Sequence, residues 1–226
     1  MVSTKMTDAG FQILEQVISI GECEELTAEL ASYRSPKMRA GIRNLMANQK
    51  VSSLASDERL LGIAREFLGG AAVPYKATLF DKSHRANWLV AWHQDTALPL
   101  ETQVESSEWG PWSLKGGINY AIAPRWALER VVALRVHLDP STEANGPLRV
   151  IAGSHKNGIL DDEQAAVAIA EGRVIECLIP RGGILVMRPL LLHASSKCTS
   201  NDPRRVLHIE YADALDLKPG IRLAIS

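Results

Sequence analysis

From about residue 70 onward the chain breaks into short apolar runs, each bounded by Gly, Pro, Asn or Asp, and this rhythm limits the fold more than any other feature. The runs at 73–80, 131–138, 148–151, 173–179, 184–187 and 206–211 have strand length and strand composition. Gly146-Pro147 and Gly182-Gly183 punctuate them as turns. The first seventy residues have a different period. Residues 22–33 (ECEELTAELASY) set Leu26 and Leu30 four apart among acids. Residues 57–68 (DERLLGIAREFL) repeat the pattern, open on Asp57 as a cap and stop at Gly69-Gly70. One short helix is predicted at 162–171. Helices followed by many short strands imply an α+β or mainly β domain, with flanking α-helices packed outside a double-sheet jelly roll. No composition break marks a linker, so residues 1–226 are expected to form a single domain.

With 25 basic against 26 acidic side chains among 226 residues, the net charge is −1. No nucleic-acid partner is expected, since that would call for a basic excess. No apolar run approaches the ~18 to 20 residues that cross a bilayer, so no membrane partner is expected either. The N-terminal MVSTKMTDAGF lacks the layout of a secretory signal. Cys23, Cys177 and Cys198 are odd in number and far apart, which speaks against a disulfide framework and fits a reducing cytoplasm.

The longest stretch without clear periodicity is 99–129. It carries Trp109, Trp112 and Trp126, with Gly110-Pro111 and Gly116-Gly117 between them. Tryptophans argue against disorder, and a long irregular segment in a compact domain is usually functional. A lid over a site is expected here, beginning four residues after Asp95 and presenting Trp109 and Trp112 to a substrate.

That site begins at AWHQDTALPL, residues 91–100. Side chains two apart on a strand share a face, so His93 and Asp95 can converge on one ion. Most His-x-Asp pairs are ordinary polar residues, and the pair needs a third ligand. His193, which ends the apolar run ILVMRPLLLHASS, can supply it. Two histidines and one carboxylate on one side of a metal leave open positions, as in non-haem Fe(II) oxygenases.

Three ordered blocks carry a family resemblance. AWHQD, NGPLRVIAGSH (residues 145–155) and HASSKCTSNDPRRVLHIEY (residues 193–211) resemble the proximal, middle and distal motifs of the phytanoyl-CoA dioxygenase family, with an arginine opening a strand eleven residues after the distal histidine. The resemblance spans roughly residues 77–211. It implies an Fe(II)- and 2-oxoglutarate-dependent oxygenase on a mainly β, double-stranded β-helix (jelly roll, cupin-like) core with flanking α-helices, and His93, Asp95 and His193 as metal ligands. Arg204 would bind the distal carboxylate of 2-oxoglutarate and Ser195 would hydrogen-bond it. A planar guanidinium suits that role because it forms a bidentate, permanently charged clamp.

Strand alternation decides between Arg204 and its neighbour. Arg205 shares its face with Leu207, Ile209 and Tyr211, a set suited to packing under helices, whereas Arg204 shares its face with Val206, His208 and Glu210. Arg135, in VVALRVHLD, alternates with His137 and Asp139. It fits either a solvent-facing polar stripe or an inward arginine that binds the cosubstrate. Lys82 matches a lysine that recurs in related sequences. His155 is expected to be structural, and His84, His137 and His208 receive no role.

The implied reaction couples 2-oxoglutarate, dioxygen and a small-molecule substrate to hydroxylation of an unactivated C–H bond, releasing succinate and CO₂, with ascorbate as a reductant. Related halogenases have Gly or Ala where Asp95 stands, so the acid disfavours halogenation. Desaturation, epoxidation and ring formation draw on the same oxidant. The competing expectation is a non-oxidative jelly-roll protein that binds a metal or a small acid. Substrate identity and oligomeric state are not legible in the sequence.

Overall fold

Ser19 starts the first helix of the computed structural model, which describes residues 8–33, 41–82 and 87–226. Its hydroxyl accepts a hydrogen bond from the Glu22 amide at 3.2 Å, and the Glu22 carboxylate accepts one from the Ser19 amide at 2.9 Å. This reciprocal cap satisfies donors that a bare helix end would leave open. Helix α1 (Ile20–Ala31) then buries Cys23, Leu26 and Leu30. Helix α2 (Gln49–Ala55), which the sequence reading did not anticipate, is capped by the Asn48 side chain. Helix α3 (Glu58–Leu68) opens on Asp57 and ends at Gly69 with φ 77°, the left-handed conformation that glycine adopts without strain. Arg59 ties α1 to α3 through Glu22 and Asp57, at 2.5 and 2.8 Å.

These helices cover one face of a five-stranded antiparallel sheet. Its strands run in the order β1 (Phe11–Leu14), β10 (Ile184–Met187), β7 (Val131–His137), β12 (Arg204–Ala212) and β2 (Val73–Lys82). A second sheet has the order β3 (Val90–His93), β11 (His193–Ser195), β8 (Leu148–Ile151) and β9 (Val174–Cys177). The fold is mainly β, two antiparallel sheets with helices outside, as the strand rhythm predicts. Among the described residues no helix is long and apolar enough to cross a membrane.

Alternation along the central strands sorts the chemistry. Val132, Leu134 and Val136 on β7, with Leu207, Ile209 and Tyr211 on β12, pack against Leu26, Leu30, Leu60 and Phe67 of the helices. The intervening Arg135, His137, Arg204, His208 and Glu210 point into the space between the sheets and are also buried. Both faces being covered, β7 shows burial along its whole length. Arg205, on the helix side, pairs with Asp139 through two guanidinium contacts of 2.5 and 2.6 Å.

Residues 99–129 are irregular only in part. Residues 101–111 form no helix or strand, but the stretches around them build a third sheet, ordered β4 (Ala97–Leu100), β6 (Ile118–Ile122) and β5 (Trp112–Lys115), followed by the short helix α4 (Arg125–Leu128). Strands of four or five residues, one interrupted by Pro99, are too short to register as a period. Trp109 is 4% exposed and meets Trp126 edge to face at 6.0 Å, within a core that includes Tyr75, Leu98, Leu100 and Leu128. Trp112 packs on the same core. The tryptophans therefore hold this sheet together and are not offered to a ligand. Helix α5 (Asp162–Glu171) lies as expected, while β1 and the hairpin β13 (Asp216–Lys218) and β14 (Ile221–Arg222) were not anticipated.

Leu60 is fully buried between the helical layer and the sheet. Leu60→Ala should cost about 2–5 kcal/mol, the range for deleting a well-packed leucine. Urea unfolding checks this, and a loss below about 1 kcal/mol would show that the helices are a dispensable cover.

Candidate metal centre and its two cavities

In the register of β3 against β11, His93 lies directly opposite His193. Their rings stand 4.1 Å apart between centroids. Asp95 follows two residues after His93, and its amide donates to the Pro189 carbonyl at 2.9 Å, which fixes the chain at the strand end. Gln94 points the other way. Its amide nitrogen donates to Gly158 and Leu190 carbonyls at 2.8 and 2.7 Å, and its oxygen accepts from the Leu160 amide at 2.9 Å. The single strand thus presents two potential ligands on one face and anchors itself through the other.

Both imidazoles are set for metal. Nδ1 of His93 lies 2.8 Å from the Ala91 carbonyl, and Nδ1 of His193 lies 2.8 Å from the Leu191 carbonyl. A carbonyl only accepts, so each Nδ1 carries the proton and each Nε2 keeps its lone pair free. Those Nε2 atoms face the Asp95 carboxylate at 3.8 and 3.6 Å. One ligand atom from each of the three residues falls within 4.8 Å of the others, and among the described residues no other such cluster occurs. Burial, with help from His93, pushes the His193 imidazole down to about 4, so it is neutral at physiological pH. Burial pushes the Asp95 carboxyl up, but the imidazoles of His193, His208 and His93 outweigh it and keep it below its ordinary value. Imidazoles with a free Nε2 lone pair, set beside a carboxylate, are the donor set a divalent ion takes.

One small cavity, about 90 Å³, brings together the predicted residues His93, Asp95, His193, Ser195, Arg204 and Arg135, and adds Lys82 and Trp88. At its end, Ser195 Oγ donates to the Gly146 carbonyl at 2.9 Å and accepts from Lys82 Nζ at 2.7 Å and Arg204 Nη2 at 3.2 Å. Lys82 also donates to the Ser196 carbonyl at 2.7 Å, and Arg204 Nε to the Asn145 carbonyl at 3.3 Å. The middle motif therefore wraps the distal one. Gly146, at φ 69°, is needed there because a Cβ would lie 2.4 Å from the Ser196 carbonyl. Arg204 Nη1 is buried with no partner, and so is Arg135 Nε. Arg135 is 6% exposed, which rules out the solvent-facing stripe. Burial and the neighbouring cations Arg204 and Arg135 pull Lys82 down to about 8, and burial with Arg135 pulls Arg204 down to about 10.

On the other side of Asp95 lies a second cavity of about 260 Å³, whose walls include Thr78, Phe80, Gln94, Tyr120 and His208. Arg135 Nη1 donates to His208 Nδ1 at 3.1 Å. That leaves the proton of His208 on Nε2, which donates to Glu210 at 3.0 Å. Glu210 also accepts from Tyr75 at 2.6 Å and Lys76 at 2.7 Å. His208 therefore belongs to the site although the sequence reading assigned it no role. The available signal was its place with Arg204 and Glu210 on one strand face. His137 is buried with both ring nitrogens unpartnered, and burial holds it well below its usual range, hence neutral. His155 borders a separate hollow with Arg125 and Arg188, away from the triad. His84 lies outside the described residues.

A jelly roll with two histidines and an aspartate at the strand ends defines the non-haem iron oxygenase class of scaffold. The chain belongs to the phytanoyl-CoA dioxygenase (PhyH) family, which it matches over residues 6–206. It is 26% identical over 178 residues to L-proline trans-4-hydroxylase of Streptomyces griseoviridis, spanning 67% of this chain but only 59% of that enzyme. Among solved structures, AviO1 from Streptomyces viridochromogenes Tue57 aligns with TM-score 0.66 at 23% identity, over 97% of this chain and 95% of AviO1. EctD from S. alaskensis, solved with 2-oxoglutarate and 5-hydroxyectoine, aligns with TM-score 0.70 at 22% identity, over 92% of this chain and 73% of EctD.

Proposed function

We propose that this protein is an Fe(II)- and 2-oxoglutarate-dependent oxygenase that hydroxylates a small organic molecule. The observation that carries this reading is the pair of Nδ1-locked histidines facing Asp95 across the β3–β11 register. His93, Asp95 and His193 would hold the iron. Bound Fe(II), with 2-oxoglutarate and dioxygen, supplies the oxidising power for C–H hydroxylation as succinate and CO₂ are released. The hydroxylase relative supports hydroxylation over other outcomes, and the carboxylate at position 95 leaves no room for a halide ligand.

The remaining residues bind and orient. Arg204 would pair the far carboxylate of 2-oxoglutarate through its unpartnered Nη1, with Ser195 and Lys82 beside it. Three buried cations, Lys82, Arg135 and Arg204, surround a space at whose end no acid stands among the described residues. Such charges are costly until an anion arrives, which favours a dicarboxylate cosubstrate. Arg135 stacks over Phe80 at 5.2 Å between cation and ring, so its position is held before any ligand enters. On the other side of Asp95, Tyr120 and Lys115 of the third sheet wall the larger cavity and would exclude water from the substrate.

Incubation with Fe(II), ascorbate and 2-oxoglutarate should yield succinate, even slowly without substrate, and Asp95→Ala or His193→Ala should abolish it. No succinate from the wild type would leave a non-oxidative jelly-roll binding protein as the reading. Arg204→Ala should weaken 2-oxoglutarate binding at least about a hundredfold, because one partner of a buried pair is lost. Calorimetric titration checks it, and an unchanged affinity would remove Arg204 from the cosubstrate site.

The position of Lys82, about 8, predicts a pH dependence. A charged Lys82 favours an anion, so 2-oxoglutarate affinity should fall as pH rises above 8, and binding near that pH should take up a proton. Lys82→Met should lose both effects. Titrations in two buffers of different ionisation enthalpy read the proton directly, and equal heats in both would refute the contact.

A further inference from the structure

The larger cavity has an unbalanced charge. Three basic residues line it, Arg43, Lys76 and Lys115, against the acids Asp95 and Glu210. Lys76 and Glu210 cancel, joined at 2.7 Å with side chains 17% and 9% exposed. Glu210 is also saturated by Tyr75 and His208, so it has no free oxygen for a substrate ammonium. Asp95 faces His93 and His193. Arg43 and Lys115 are left over. Among the described residues no acid pairs with either, and no hydrogen bond engages either charged group.

The chain brings these two cations together deliberately in structural terms. Ile42 bridges to Leu79 on β2, and Asn44 donates to the Gly116 carbonyl in the β5–β6 turn at 3.3 Å. Arg43 sits between those two attachments and Lys115 directly precedes Gly116. Lys115 lies over the Tyr120 ring at 5.0 Å, and Lys76 lies over the same ring at 5.6 Å. Arg43 and Lys115 are both exposed, and partial burial, then Arg43 and Lys76, lower the Lys115 ammonium more than Asp95 across the cavity raises it, so like charges outweigh the one facing acid.

We propose that the substrate of this site is a small organic acid whose carboxylate is received by Lys115 and Arg43, with its reacting carbon toward Asp95. This rests on the oxygenase reading for the word substrate, but not for the binding. The cavity of about 260 Å³ lies just under the roughly 300–1,000 Å³ of drug-sized pockets, which suits an acid of amino-acid or short-chain size. The carboxylate would meet two charged donors, and charge-assisted hydrogen bonds are about twice as strong as neutral ones. A neutral amide of the same shape accepts fewer and weaker bonds there, and an amine meets repulsion.

The test is direct binding of short-chain carboxylic and amino acids, each paired with its primary amide, to the full-length protein without added metal, by ligand-observed NMR. Acids should compete for one site and bind about tenfold more tightly than their amides, with the preference weakening as salt rises. Lys115→Gln and Arg43→Gln should each reduce the acid-to-amide ratio, Lys115→Glu should favour the matching amines, and Lys50→Gln, a lysine outside the cavity, should keep the ratio. The proposal is overturned if no acid binds, if acids and amides bind alike, if the ratio survives in both neutral variants, or if phosphate monoesters bind and carboxylates do not. The succinate assay separates the two readings. Acid binding without succinate would sink the oxygenase and spare this inference, and succinate without an acid preference would do the reverse.

Discussion

The backbone pairing of β3 with β11 fixes His93 opposite His193, and the rest of the site is arranged around that pair. Opposed residues in an antiparallel ladder are about 4.5–5.5 Å apart, so two histidines there are held near one another by main-chain bonds rather than by side-chain packing. Each ring is then turned by a carbonyl two residues earlier in the chain. Because these supports are backbone groups, substitution of neighbouring side chains leaves them in place. Asp95, two residues beyond the end of β3, joins the pair because Pro189 captures its amide.

Around this centre the interior is more cationic than a core can ordinarily sustain. Arg135, Arg204 and Lys82 are buried on one side of Asp95, and Lys76 is half-buried on the other with Glu210 as its counter-ion. The Arg135–His208–Glu210 chain joins the two sides through fixed donors and acceptors. Such a network costs stability, since ions inside protein are repaid only by partners of good geometry. The helical layer carries the compensating apolar burial, from Leu26 and Leu30 of α1 to Leu60 and Phe67 of α3.

Much of this was legible in the sequence, for reasons that differ by region. The alternation in RRVLHIEY assigned Arg204 and Arg205 to opposite faces, as the structure has them, because strand parity depends on nothing outside the strand. The helices at 20–31 and 58–68 were visible because several turns of periodicity repeat the same message. The small sheet of β4, β5 and β6 was not, since four-residue strands carry too little alternation and their partners lie far along the chain. The same shortness hid Phe11–Leu14. His208 and Lys76 were missed for a different reason. Their importance comes from Glu210 and the cavity between them, a three-dimensional coincidence that no local spacing announces.

The opposed facing of Gln94 has a consequence for what lengths this region tolerates. His93 and Asp95 face inward while Gln94 grips Gly158, Leu160 and Leu190 on the reverse side. Adding or removing one residue between His93 and Asp95 would break the spacing that sets both side chains on one face, with Gln94 gripping the other. Change in chain length is confined to the connections, where an extra residue shifts no parity.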